Sequence, residues 1–191
     1  MEPIRELIAV DLEMTGLQVK TDRILEIGAV RLVDGQLRDT FQTFVNPHRR
    51  IDARITELTG IRSEMVENAP EAEEALQKFL EFAGEAPFLG HNVIFDYSFL
   101  KQCAVNHKIS LERSALDTLK IARKVLKEPE KKSLEALCGY FQIDREHAHR
   151  AVDDAKATAE LFLMLQQKYQ QQEPGLFVPK PLHYKVKKQG R

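Results

Sequence analysis

The chain has 191 residues, a formal net charge of −1, 43% hydrophobic and 30% charged residues, which is one ordinary domain, long enough to bury a core without disulfides. Cys103 and Cys138 lie far apart and form no CxxC pair, excluding a disulfide scaffold and a structural zinc knuckle. No apolar run approaches the ~20 residues of a membrane span, and the opening MEPIRE lacks a signal-peptide pattern, so a soluble, cytoplasmic protein without a membrane partner is expected.

Leu7–Leu12 is a short apolar run rich in β-formers, hence a buried strand. Residues 24–33 and 37–45 read as two more strands, with Asp34-Gly35 between them as a hairpin signal and Asn46-Pro47 as a stop. A short helix over 55–60 ends at Gly60, and a longer one over 70–82 carries Ala72, Ala75, Leu76, Phe79 and Leu80 on one face. Residues 88–90 form a short strand, 95–107 a helix and 115–116 a last short strand. Helices follow over 118–126, 133–141 and 150–171. Three strands followed by strand–helix alternation predict an α/β domain with a mixed sheet, antiparallel first and parallel later. After Gln172, Pro174-Gly175, Pro179 and Pro181 break the periodicity, so the chain divides into a domain, 1–172, and a basic tail, 173–191. The tail has a net charge of +4 and the rest of the chain −5. An acidic body disfavours polyanions, because phosphates dominate nucleic-acid affinity, and the tail offsets this locally.

The informative residues are acids in places the pattern reserves for apolar side chains. Asp11 and Glu13 end the first strand, and residues two apart share a strand face. Asp96 falls in line with Phe99, Leu100 and Cys103 on its helix, the stripe that should meet the sheet. On the last helix Asp154 borders the apolar stripe while Asp153 points to solvent. The sequence offers no Lys or Arg at an inward position close to these four acids, and burying an unpaired carboxylate costs several kcal/mol. Divalent metal is the economical remedy. Carboxylate-only ligands suit Mg²⁺ or Mn²⁺ rather than zinc, and three or four of them can hold two ions about 3.5–4 Å apart for in-line displacement at phosphorus. His149, placed in a loop before a helix starting near Arg150, can reach over such a site as general base. His147 is the competing histidine. Glu26, inside an apolar strand, is expected to have a structural partner such as an arginine, and His91 to be a hydrogen-bonded core residue.

These residues resemble the DEDDh exonucleases, the DnaQ-like family that includes proofreading subunits of bacterial replicative polymerases. The motifs are VDLEMTGL (Val10 to Leu17), HNVIFDYSFL (His91 to Leu100) and HRAVDDA (His149 to Ala155), with VNP, ITELTGI and LDTLKIAR between them. The resemblance covers about residues 6–170. It implies a ribonuclease-H-like five-stranded mixed sheet flanked by helices, two metal ions, and release of nucleoside 5′-monophosphates from a 3′ end. Carried over, Asp11, Glu13, Asp96 and Asp154 are metal ligands and His149 is the base. Met14, Thr15, Gly16, Leu17, Asn92 and Phe95 line the terminal-nucleotide pocket. Met14 stands where many members have threonine and resembles the oligoribonucleases, which favour short RNA, whereas the second motif resembles the DNA-type members.

The leading expectation is a 3′→5′ exonuclease on single-stranded or frayed DNA ends. A 3′→5′ exoribonuclease and a catalytically silent nucleic-acid-binding module are the alternatives. A DNA polymerase in trans, or a sliding clamp docked by the QEPGLF segment (Gln172 to Phe177), completes the partner expectations.

Overall fold

The N-terminal strand signals resolve into the centre of a sheet. In the computed structural model, which describes residues 5–145 and 148–186, β1 (Glu6–Met14), β2 (Ile24–Val33) and β3 (Gln36–Phe44) pair as an antiparallel meander. Asp34 and Gly35 join the last two with φ of 49° and 75°, the positive values that a two-residue turn needs to match strand twist. Helices α1 (Ala53–Thr59), α2 (Ser63–Val66) and α3 (Ala72–Ala83) lead to β4 (Phe88–Gly90), parallel to β1. Helix α4 (Val93–Asn106) crosses to β5 (Ser114–Asp117), parallel to β4. Helices α5 (Thr118–Val125), α6 (Leu134–Phe141) and α7 (Ala151–Tyr169) follow, then a 3₁₀ turn, Pro174–Phe177, and the two-residue β6 (Lys180–Pro181).

The sheet order is β3-β2-β1-β4-β5-β6. The mixed α/β architecture is as expected, but the sheet has six strands rather than five. The extra strand comes from the segment read as a tail: β6 pairs antiparallel with β5. Two residues, one of them a proline, are too short to leave a periodic signal. Phe177 is 2% exposed, its ring centroid 6.0 Å from that of Phe162 on α7. The aromatic of the QEPGLF segment is therefore part of the core and is not presented to a clamp. Lys187, Lys188 and Arg191, which supply most of the tail's charge, lie outside the described residues.

β1 is covered on both faces, and its alternation decides which face each residue serves. Ile8, Val10 and Leu12 pack with Phe79, Phe88 and Leu100 under α3 and α4. Leu7 and Ala9 pack with Leu161, Phe162 and Leu165 under α7. Burial of each such side chain stabilises the fold by roughly 1.5–3 kcal/mol, so a one-residue slip of β1 is strongly disfavoured. Asp11 and Glu13 continue the α7-facing row. Cys103 and Cys138 are buried and unpaired with each other. Among the described residues, no helix is long and apolar enough to cross a membrane.

Candidate active site

β1 runs on past the end of its parallel neighbour. It pairs with β4 at Ile8↔Phe88 and Ala9↔Leu89, and β4 stops at Gly90. Beyond that point the Leu12 N–H has no β4 carbonyl to meet. The Asp96 carboxylate takes it instead, with Oδ1 3.1 Å from the Leu12 nitrogen. Asp96 lies in the first turn of α4, whose start is set by Asn92 at φ 69°, a left-handed conformation that Asn tolerates better than most residues. The Asn92 N–H is anchored to Asp117 Oδ1 at 3.1 Å, and the same oxygen caps α5 through the Leu119 N–H at 3.0 Å. The carboxyl ends of β1, β4 and β5 thus share one polar seam, the place where open α/β sheets bind ligands.

α7 reaches this seam because β2 lets it. Gly28 pairs with Asp11 across the ladder, and a Cβ on Gly28 would lie 2.1 Å from both the Ala151 carbonyl carbon and the Val152 nitrogen. No side chain fits there, so the first turn of α7 lies directly on the sheet. Glu26, fully buried, fixes it: its carboxylate accepts from Arg150 Nη2 at 2.8 Å, from Arg150 Nε at 3.2 Å and from the Ala151 N–H at 3.2 Å. The arginine expected for Glu26 is therefore Arg150.

So placed, α7 presents Asp154 inward, buried, and leaves Asp153 beside Lys156 at 3.2 Å. His149 sits one residue before the helix N-cap, at φ 63°. Ligand atoms of Glu13, His149 and Asp154 lie within 4.8 Å of one another. Asp11 and Asp96 border this group, and the electrostatics record it. Burial, then Asp96, Asp154 and Glu13 in turn, hold the Asp11 carboxyl well above its ordinary value. Burial, then Asp154, Glu26 and Asp96, push Glu13 up to about 8. Burial pushes Asp96 up to about 7. Crowded carboxylates that resist ionising are what hard cations stabilise, and the donor set fits divalent metal.

One cation was missed by the sequence reasoning. Arg145, from the loop before α7, donates to Asp154 Oδ1 from Nη2 at 2.5 Å and from Nε at 3.0 Å. An inward arginine close in sequence to Asp154 therefore exists. Loop residues carry no periodicity, and nothing in the sequence marked its direction. His147 lies outside the described residues.

The residues expected to line a nucleotide pocket take up different duties. Thr15 is buried and accepts the Arg23 N–H at 3.0 Å, with its hydroxyl 3.2 Å from Asp22 Oδ1. Gly16 lets the Asp22 carboxylate approach, since a Cβ would lie 2.4 Å from Oδ2. Together they brace the β1–β2 loop and hold up Leu17, which is 77% exposed. Met14 is half-buried beside the irregularity that ends the β1–β2 ladder. Asn92 is exposed at the head of α4, and Phe95 is half-buried, edge-on to Phe99 with centroids 5.5 Å apart.

Inward carboxylates gathered from the end of β1 and the first turns of α4 and α7 form a donor set suited to metal-assisted hydrolysis. The sequence matches the RNase_T family, described as Exonuclease, over residues 8–162, and the chain belongs to that family. Among its relatives is the PolC-type DNA polymerase III of Caldanaerobacter subterraneus subsp. tengcongensis, 45% identical over 166 residues, which are 87% of this chain but 12% of that protein. The chain spans about an eighth of the length of such curated relatives. Similar folds include exonuclease X in complex with 5′ overhanging duplex DNA (TM-score 0.73, 24% identity, 90% of this chain and 99% of that one). Another is the nuclease domain of 3′hExo, a DEDDh family member, bound to rAMP (TM-score 0.76, 20% identity, 87% and 94%).

Proposed function

We propose that the protein removes nucleotides one at a time from single-stranded or frayed DNA 3′ ends, releasing nucleoside 5′-monophosphates. The convergence of Glu13, His149 and Asp154 within 4.8 Å, beside Asp11 and Asp96, carries this reading. DNA is favoured over RNA because relatives such as the 45%-identical protein are DNA polymerases. The same kinship supports proofreading in association with a polymerase.

In this reading Asp11, Glu13, Asp96 and Asp154 would hold two divalent ions, Mg²⁺ or Mn²⁺. Such ions, when bound, supply Lewis-acid stabilisation of phosphoryl charge and a more acidic water. His149, on its left-handed loop beside Glu13 and Asp154, takes the proton of the attacking water at a ring nitrogen. Attack on the terminal phosphorus in line expels the 3′ oxygen, which takes a proton from solvent to become the new 3′ hydroxyl, and the phosphate departs on the released nucleotide. Leu17, Asn92, Phe95 and Met14 receive the terminal nucleoside, with Thr15 and Gly16 bracing the loop that carries Leu17.

The test is a cleavage ladder on a 5′-labelled single-stranded DNA and its RNA twin, with Mg²⁺, Mn²⁺ or EDTA. Metal-dependent shortening of the DNA from its 3′ end, abolished in Asp154→Ala, is expected. Faster loss of the RNA would move the substrate to RNA with the site unchanged. An active Asp154→Ala enzyme would overturn the site assignment.

A further inference from the structure

The chain is acidic outside its C-terminal segment, yet residues 120–132 carry six Lys or Arg and two Glu, a net of +4. They fall on the outer side of α5 and on the segment joining it to α6. There they border a groove of about 710 Å³ whose lining includes Asn92, Arg123, Lys131 and Lys132, with Glu130 as its one acid. One end of the groove is thus the residue that starts the Asp96 helix.

The groove is built rather than incidental. His91 bridges its two walls: Nε2 lies 2.8 Å from the Lys132 carbonyl and Nδ1 2.9 Å from the Thr118 hydroxyl. A carbonyl can only accept, so Nε2 donates to Lys132, and the Thr118 hydroxyl beside Nδ1 also lies 3.2 Å from the Gly90 carbonyl, tying the bridge to the end of β4. Burial lowers the His91 pKa, with Arg123 and Arg145 acting in the same sense against the Lys132 carbonyl and Asp117. Lys132 is partly committed, its ammonium donating to the carbonyls of Lys127 and Pro129. Lys120 stands 3.8 Å from Asp117. Arg123 and Lys131 are exposed and, among the described residues, make no hydrogen bond or ion pair. Two unspent cations on a fixed groove leading to a phosphodiester-cleaving site call for phosphate.

We propose that this groove is the track for the phosphodiester backbone of the single strand upstream of the scissile nucleotide, with Arg123 and Lys131 each contacting a phosphate. The proposal rests on the exonuclease reading above and assigns where the rest of the strand lies. Backbone contacts of this kind carry no sequence preference and are strongly salt-dependent.

The test compares wild type with Arg123→Gln/Lys131→Gln on a ten-nucleotide single-stranded DNA and on the p-nitrophenyl ester of thymidine 5′-monophosphate, which has no upstream strand. The expected result is a KM for the oligonucleotide raised about tenfold at moderate salt, with kcat and ester turnover unchanged. The slope of log KM against log salt should flatten by about 1.4, two phosphates at about 0.7 each for a single strand. Unchanged oligonucleotide KM, or an equal loss on the ester, would overturn the track. Fluorescence anisotropy of the labelled oligonucleotide in EDTA, with both variants also carrying Asp154→Ala, reads the groove without turnover. Weaker binding on loss of the two cations supports the track even if the catalytic reading fails, and equal binding overturns it. An RNA decamer in the same assay distinguishes a backbone track from one that reads the sugar.

Discussion

Glu13 and Glu26 stand directly opposite each other in the β1–β2 ladder, on the face covered by α7, and their carboxylates have different fates. Glu26 is consumed by Arg150 and the Ala151 N–H. Among the described residues Glu13 has no such partner, and it joins His149 and Asp154. One cross-strand pair therefore supplies both the anchor of α7 and, in the proposed mechanism, a metal ligand.

The anchor can be tested by Glu26→Gln, which keeps the size and removes the charge. Breaking one side of a buried pair costs about 3–5 kcal/mol, less here because the Arg150 side chain is 30% exposed and can be hydrated. A loss of about 2 kcal/mol is expected, seen as a fall of several degrees in Tm. Activity should fall at least tenfold, because His149 precedes Arg150 directly and misplacement of about 1 Å can cost a hundredfold. Unchanged Tm and rate would show that α7 is held by its apolar face alone.

Gly28→Ala addresses the same helix by sterics. The added methyl would meet backbone atoms of Ala151 and Val152 at 2.1 Å, and backbone cannot swing aside. The first turn of α7 must lift, at a cost of about 1–3 kcal/mol or more, with turnover reduced by about a hundredfold. Gly139→Ala is the matched control. It lies within α6 with nothing within 4 Å of the new methyl, so helix propensity alone should leave stability equal or up to about 1 kcal/mol higher. Equal behaviour of the two variants would remove the close-approach argument.

Metal and pH should be coupled in stability. Glu13 rises from 4.5 to about 8 and Asp96 from 3.8 to about 7 on folding. The folded protein without metal therefore binds these protons more tightly than the unfolded chain. That contribution is fully present below the unfolded values and is lost as pH rises through about 7 and 8. In EDTA, Tm should fall on the order of 5 °C between about pH 6 and pH 8.5. Millimolar Mn²⁺ should flatten or reverse the fall, because an ion that binds the deprotonated carboxylates stabilises the folded state. Parallel Tm profiles with and without Mn²⁺ would argue that the carboxylates do not hold the ion.

What could be read in advance followed from periodicity. The period of two placed Asp11 and Glu13 on one face of β1, and the helical wheel separated Asp154 from Asp153, because α7 is long and its apolar residues recur at helical spacing. Asp96 was legible as an acid on an apolar stripe. The need of Glu26 for a cation was legible from burial, but the identity of Arg150 was not, since 124 residues separate the two. Arg145 was invisible for a different reason: a loop residue's direction is set by tertiary packing, and no pattern in its neighbours encodes it. The four-residue α2 and the two-residue β6 fall below the length at which alternation can be distinguished from chance.

β6 has a further consequence for how the molecule meets its own kind. An unpaired strand edge templates the addition of another chain. Here β5 is capped by a strand of two residues, one of them Pro181, which has no N–H to offer, with Pro179 just before it. At the other margin, β3 carries Arg38 and Asp39 in an exposed stretch. One border of the sheet is closed by proline and the other is guarded by charge, so neither invites a strand from a second molecule.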